Sequence, residues 1–295
     1  MSSTDPPAEE PLEIIAAGTT AGALGGLGLP GAAPRRRRRD ADQAPWWDTF
    51  PWWAVMIGLI IAWMGQKVLF SDEYAVAWER ISPGVWLTIK TTLYSFILAF
   101  ILGLVTGLGR LSRFVVFRNL ARTYVEFIRG IPMLVLIFTI ALVIVPQVSE
   151  AVGRPNSVSP EWRAIWALAL IYGGYMAEIF RGGIQAIPKG QMEAGRSLGM
   201  SRGQTMRSIV LPQALRIIVP PLGNDFIAIL KDTSLLSVLG ILEITQLARQ
   251  YASSTFKFRE GYLVTSFIYL LLTVGLSLLL AGFEYWLNRD RRGER

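Results

Sequence analysis

Apolar stretches long enough to cross a lipid bilayer recur along this 295-residue chain, and no other feature constrains its fold as strongly. An α-helix rises about 1.5 Å per residue, so about 20 apolar residues cover a hydrocarbon layer about 30 Å thick. Such stretches lie at about 52–70, 84–109, 123–148, 164–180 and 261–287, and a longer one occupies 209–248. They predict an all-α, polytopic membrane helix bundle with six crossings. The longer stretch contains Pro212, Pro220 and Pro221, so a kinked or broken helix followed by a short second piece is expected there. Composition agrees, with 52% of residues hydrophobic and 17% charged, against about 25% charged in ordinary soluble domains.

Residues 1–45 carry no apolar periodicity and are expected to form a disordered basic tail containing five consecutive arginines, 35–39. The string GLGLPG at 26–31 matches a nucleotide-binding fingerprint in letters only, since no strand precedes it and Pro30 with the arginines replaces the helix it needs. Trp46, Trp47, Trp52 and Trp53 sit at the start of the first apolar stretch, as an interfacial aromatic belt would. Ala75-Val76-Ala77 resembles a signal-peptide cleavage site, but the stretch is long for a signal core and 66–74 intervenes before the cut. A retained span over 46–83, outer loop included, is the expectation.

Four regions hold about 20 of the 29 Lys and Arg residues. They are 35–39, the run Arg110 to Arg129, the run Arg181 to Arg216, and a short tail at 288–295. Six crossings put all four on one side, which the positive-inside bias identifies as the cytoplasm. Both termini are therefore expected there, with loops 71–83, 149–161 and 249–260 facing outward. This topology accounts for the net charge of +7, and no nucleic-acid partner is expected.

Cys and His are absent, which removes thiol catalysis, disulfides, histidine acid–base chemistry and the usual zinc ligands. An intramembrane enzyme would be left with Ser/Lys or a carboxylate pair such as Glu178 and Asp225. An ion-gradient-driven secondary transporter would call for an inverted repeat, which the two halves do not show. The chain carries no G-x-x-x-x-G-K-[ST] phosphate loop, so ATP hydrolysis, catalytic residues and a metal site are not expected on it.

The segment 193–212, EAGRSLGMSRGQTMRSIVLP, is a polar, basic island between apolar stretches on the predicted cytoplasmic side. A plain solvated loop is one reading. The other is a docking element: Met192, Gly195 and Leu198 fall at helical spacing after Pro188, Gly199 suits a left-handed helix end, and a second helical run covers 202–211. Such a helix would present Glu193 and Arg196 to a groove on another protein.

Glu193, Ala194 and Gly195, then Gly199, then Ile209-x-Leu211-Pro212 resemble the EAA loop of permease subunits in binding-protein-dependent ABC importers. That loop reads EAA, three residues, G, nine residues, I-x-L-P. Gly195 replaces its second alanine, which weakens a helix by about 1 kcal/mol. The stretches YVEFIRGIPMLV (124–135), YGGYMAEIFRGGIQAIPKGQ (172–191) and 211–240 are similar to the polar amino-acid branch of those permeases, so the resemblance covers most of 84–287. It implies a five-helix permease core over 84–287 plus one extra N-terminal transmembrane helix, in a bacterial cytoplasmic (inner) membrane. ABC ATPase subunits would dock on the coupling loop of about 188–212 through Glu193, Ala194, Gly195, Arg196, Gly199, Leu211 and Pro212. A second permease subunit, identical or a sister chain, would complete the pore. An extracytoplasmic binding protein would deliver an amino acid. ATP and Mg would sit on the partner ATPase, with no cofactor on this chain.

An amino-acid zwitterion calls for both an anion-binding and a cation-binding group, and ionisable residues at membrane depth are candidates for them. Asn224, Asp225 and Lys231 lie 12 to 19 residues beyond Pro212, from mid-membrane outward. Glu178 is a further candidate, although Glu178 with Arg181 and Glu126 with Arg129 also suit helix-end ion pairs or snorkelling charges. Gly103, Gly107, Gly173, Gly174 and Ala177 suit close helix packing within the bundle. Phe226, Tyr172 and Tyr175 suit either gating of a pore or filling of the bundle, and filling is the expectation.

Overall fold

A computed structural model describes residues 50–155 and 157–287. The expectations for the 1–45 tail, for Trp46 and Trp47, and for the 288–295 tail lie outside these residues. The chain divides between Pro51 and Trp52, and the second unit contains everything that follows.

Its regular elements among the described residues are all helical. They are α1 (Trp52–Phe70), α2 (Asp72–Ile81), α3 (Gly84–Arg110), α4 (Val115–Gly130) and α5 (Met133–Ala151), with a π-helical stretch at Thr139–Ile144 inside α5. After them come α6 (Pro160–Gln185), α7 (Lys189–Ser197), α8 (Leu211–Asp232), α9 (Ile244–Thr255) and α10 (Phe258–Leu287). Among the described residues four helical segments are long and apolar enough to cross a membrane: α1, the α2–α3 segment Asp72–Arg110, α5 and α10. At 26 and 22 residues, α6 and α8 are also long enough for the roughly 30 Å layer, but they carry more charge. For α6 its position explains the tolerance. Much of α6 is buried against neighbouring helices, so polar groups there meet protein and not lipid.

Residue contacts fix the directions. Lys90 pairs with Glu161 at 2.7 Å near one end of α3 and α6, and Arg110 pairs with Glu178 near the other, so these helices run parallel. Gly183 faces Ile218, and the Tyr172 hydroxyl donates to Asp232, so α8 runs antiparallel to α6. The glycines form the seam of this bundle. A β-carbon at Gly103 would lie 2.6 Å from Cβ of Met176, and one at Gly107 would lie 2.9 Å from the Ala177 carbonyl oxygen. Two apolar cores result. One joins α3 to α6 and α8, and the other joins α1 and α2 to α9 and α10.

Several boundaries differ from the sequence expectation for physical reasons. The stretch 123–148 is not one helix, because the chain leaves helical geometry at Ile131 (φ −120°, ψ 138°) before Pro132. Proline lacks the donor that would continue α4 and forces its predecessor into extended geometry. Conversely, α8 stays helical through Pro220 and Pro221. The break comes later, in a 3-10 turn at Thr233–Leu239 that Gly240 closes with φ +75°. The short second piece is α9, which extends to Thr255. The expected outer loop 71–83 contains α2, whose Tyr74, Ala77 and Ile81 repeat at helical spacing and are buried.

Candidate functional site: the loop between α6 and α8

The island folds as a compact helical unit. Pro188 precedes α7 in an extended conformation that starts a new helix after the turn from α6. At its other end Gly199 adopts φ +81°, while Gly199 N donates to the Arg196 carbonyl at 3.0 Å and Met200 N to the Gly195 carbonyl at 3.1 Å. A left-handed glycine with these bonds satisfies the last carbonyls of the helix, and a side chain at that φ would be strained. Ser201 opens the next helix through a reciprocal capping box. Gln204 N donates to Ser201 Oγ at 3.3 Å, and Ser201 N donates to Gln204 Oε1 at 2.8 Å. Helical structure then continues through Arg202–Thr205 and the π-helical Met206–Val210 directly into α8.

Within this unit Gly195 is buried, whereas Glu193, Ala194, Arg196 and Gly199 are exposed. A β-carbon at Gly195 would lie 2.6 Å from Thr205 Cγ2 and 3.1 Å from Ile209 Cδ1. The glycine therefore permits close packing of α7 on the lead-in to α8. Counting only its effect on helix stability misses that role. Leu211 and Pro212 are exposed at the start of α8. A 610 Å³ cleft has an apolar floor of Ile184, Met192, Met206 and Val210, with Lys189, Glu193 and Arg196 at its edge. Leu198, at the tip beyond α7, is 81% exposed. The helical spacing that groups it with Met192 and Gly195 suggests an apolar face against the bundle, but Leu198 lies past the end of the helix and is left uncovered.

The pathway candidates do not form one cluster. Asn224 and Lys231 are exposed, and their spacing of two helical turns puts them on one face of α8. Asp225 is turned inward, and its buried Oδ2 accepts no hydrogen bond from the described residues. Asp232 receives the Tyr172 hydroxyl, and Tyr172 packs edge-on against Tyr175 with ring centroids 5.6 Å apart. Phe226 makes an edge contact with Phe96 at 5.1 Å.

Glu178 is bound up in an arginine cluster. It pairs with Arg110, bonds Arg181 at 2.6 and 3.0 Å, and lies 3.8 Å from Arg129. The Arg110 link was not foreseen, because its partners are 68 residues apart. Glu243 was also missed. Fully buried at the start of α9, it accepts from Thr245 N, Gln246 N and the Tyr269 hydroxyl at 2.7 to 2.9 Å. Its single local signal is an acidic residue at a helix N-cap position. Among the described residues no group of acidic side chains is arranged to hold a metal ion.

The fold and loop define a polytopic helical membrane protein that presents a capped helical element, fused to an interior helix, at one end of its bundle. The chain belongs to the family of binding-protein-dependent transport system inner membrane components, whose sequence pattern matches residues 99–293. It is 36% identical over 237 residues to the L-cystine transport system permease protein TcyB of Bacillus subtilis, covering 80% of this chain and 95% of that protein. It is 37% identical over 219 residues to the nopaline transport system permease protein NocM of Agrobacterium fabrum, covering 73% and 91%. Among solved structures it resembles a chain of an amino acid ABC transporter, with a TM-score of 0.64 and 34% identity over 74% of this chain and 97% of that one. The MetNI methionine ABC transporter in an inward-facing conformation shares the fold, with a TM-score of 0.60 at 21% identity, covering 74% and 99%.

Proposed function

We propose that this chain is the pore-forming permease subunit of an ATP-driven amino-acid importer, with α7 as the contact for a separate ATPase subunit. The observation that carries the proposal is mechanical. α7 packs on the helical lead-in to α8 through Gly195, Thr205 and Ile209, and that lead-in is continuous with α8. A partner gripping Glu193, Arg196 and Leu198 therefore moves α8, the helix that carries Asn224 and Lys231. ATP and Mg are held by the partner. Closure of an ATPase dimer draws two such loops together and tips the bundles from inward-open to outward-open, and hydrolysis restores the inward-open state.

In this scheme a second permease chain completes the pore and an extracytoplasmic binding protein delivers the amino acid. The relatives named above support amino acids as the substrate class. Both termini and α7 face the cytoplasm of a bacterial inner membrane, in keeping with the arginine distribution.

The deciding experiment uses the reconstituted complex with its ATPase and binding protein. Glu193→Ala and Gly199→Ala should each abolish most substrate-stimulated hydrolysis and uptake while the complex still assembles. Full stimulation and normal uptake in both variants would overturn the coupling role. Uptake driven by an ion gradient without ATP would overturn the importer itself. Because the chain has no cysteine, a single Leu198→Cys tests sidedness. Labelling by an impermeant thiol reagent in intact cells would place α7 on the wrong face.

A further inference from the structure

One charged patch at the α7 end of the bundle takes no part in the mechanism above. Between α3 and α4 runs a shallow 490 Å³ groove whose lining includes Val105, Leu108, Ser112, Phe117 and Leu120. Val105, Leu108, Phe117 and Leu120 are exposed. Cations gather at its rim. Arg118 donates from Nη1 to the Ser112 carbonyl at 3.4 Å, and Arg113 is the next residue, its guanidinium 5.3 Å from the centroid of the Phe114 ring.

Among the described residues Arg113, Arg118 and Arg122 have no carboxylate within ion-pair distance. Arg110 differs, since Glu178 neutralises it. Leu108 and Val105 lie on a helix apolar enough to cross the membrane, about half a turn and about one and a half turns before its end at Arg110. The trough thus descends into the hydrocarbon layer from a rim of unbalanced positive charge. An acyl chain suits the first part and a phosphate the second.

We infer that this groove holds an anionic phospholipid of the leaflet on the α7 side, with an acyl chain along Val105, Leu108, Phe117 and Leu120 and its phosphate on Arg113 and Arg118. A zwitterionic lipid can fill the apolar trough as well, so selectivity resides in the headgroup. Each arginine near an anionic headgroup contributes about fivefold. The inference depends on neither the transported substrate nor the ATPase contact.

The test uses the intact complex in nanodiscs and exploits the lack of cysteine. A bimane label on Leu120→Cys reports quenching by brominated phosphatidylglycerol or brominated phosphatidylcholine, with an Leu279→Cys label on α10 as reference. The Leu120 label should favour phosphatidylglycerol at least fivefold and the reference label should not. Arg113→Gln with Arg118→Gln should bring the preference close to one in a complex that still elutes intact. Equal quenching by both lipids before substitution, or a preference that survives it, would overturn the inference. So would a label shielded from both lipids together with a Leu120→Cys disulfide between two permease chains, which would make the groove a subunit interface.

Discussion

Gly195 and Thr205 approach so closely that a β-carbon on the glycine would lie 2.6 Å from Thr205 Cγ2 and 3.0 Å from its Oγ1. Thr205 is not free to retreat, because its hydroxyl donates to the Ser201 carbonyl at 3.0 Å. Gly195→Ala restores the residue usual in the loop motif and adds about 1 kcal/mol of helix propensity. Overpacking costs about 1–3 kcal/mol, so the clash should win. The expected result is a severalfold loss of substrate-stimulated ATPase activity and faster proteolysis of the loop. Adding Thr205→Ser and Ile209→Val, which removes the two obstructing methyl groups, should recover most of both. A Gly195→Ala protein that matches or exceeds the parent would show that packing does not dictate this residue.

The arginines around Glu178 should differ in worth according to their exposure. The Arg110 side chain is 13% exposed, Arg181 32% and Arg129 56%. Exposed pairs contribute about 0–1 kcal/mol, whereas breaking a buried pair costs about 3–5 kcal/mol. Glu178→Gln strands Arg110 and should destabilise the purified protein by an intermediate amount, about 1–3 kcal/mol. Arg181→Ala should cost less and Arg129→Ala least. Thermal unfolding in detergent reads the order, and an unchanged melting temperature for Glu178→Gln would contradict the assignment.

The α3–α6 seam predicts a sharp contrast among glycines. Gly103→Ala meets Met176 Cβ at 2.6 Å, and Gly107→Ala meets the Ala177 carbonyl oxygen and Phe180 Cβ at 2.9 Å, with backbone that cannot rotate away. Each should lower the melting temperature and the yield of folded protein, by at least about 1–3 kcal/mol in stability. Gly58→Ala and Gly275→Ala add a methyl where nothing lies within 4 Å and should be neutral. Equal effects at the two kinds of site would mean that helix propensity, not the seam, governs these glycines.

What the sequence disclosed depended on how local the cause was. The bounds of α1 were legible because a lipid-facing helix is an unbroken apolar run. The end of α7 was legible because a left-handed glycine has a local signature. Pro132 broke its stretch as a proline should, yet it was overlooked inside a continuous apolar pattern. Pro220 and Pro221 announced a break that falls beyond them, at Thr233–Leu239, since packed neighbours can hold a helix through missing donors. The tie from Arg110 to Glu178, 68 residues apart, leaves no local trace. Gly195 was legible as a departure from a motif, but its meaning lay in Thr205, across a turn.

The exposed face of α8 supplies the last prediction. Asn224 and Lys231 share that face, while the neighbouring Asp225 buries Oδ2 away from it. An ammonium group and an amide two turns apart provide a cation for a substrate carboxylate and a donor–acceptor pair for its amine. Neither side chain is needed to fill the core, so Asn224→Ala and Lys231→Ala should leave folding and complex assembly intact. A hydrogen bond to a charged group contributes about 1.5–3 kcal/mol, so losing Lys231 should reduce uptake at low substrate concentration by about tenfold or more. Asp225→Asn should instead act mainly on stability, because its carboxyl lies within the bundle. Radiolabelled uptake into proteoliposomes, measured beside melting curves, separates these effects. Unchanged uptake in both Asn224→Ala and Lys231→Ala would remove this face from the pathway.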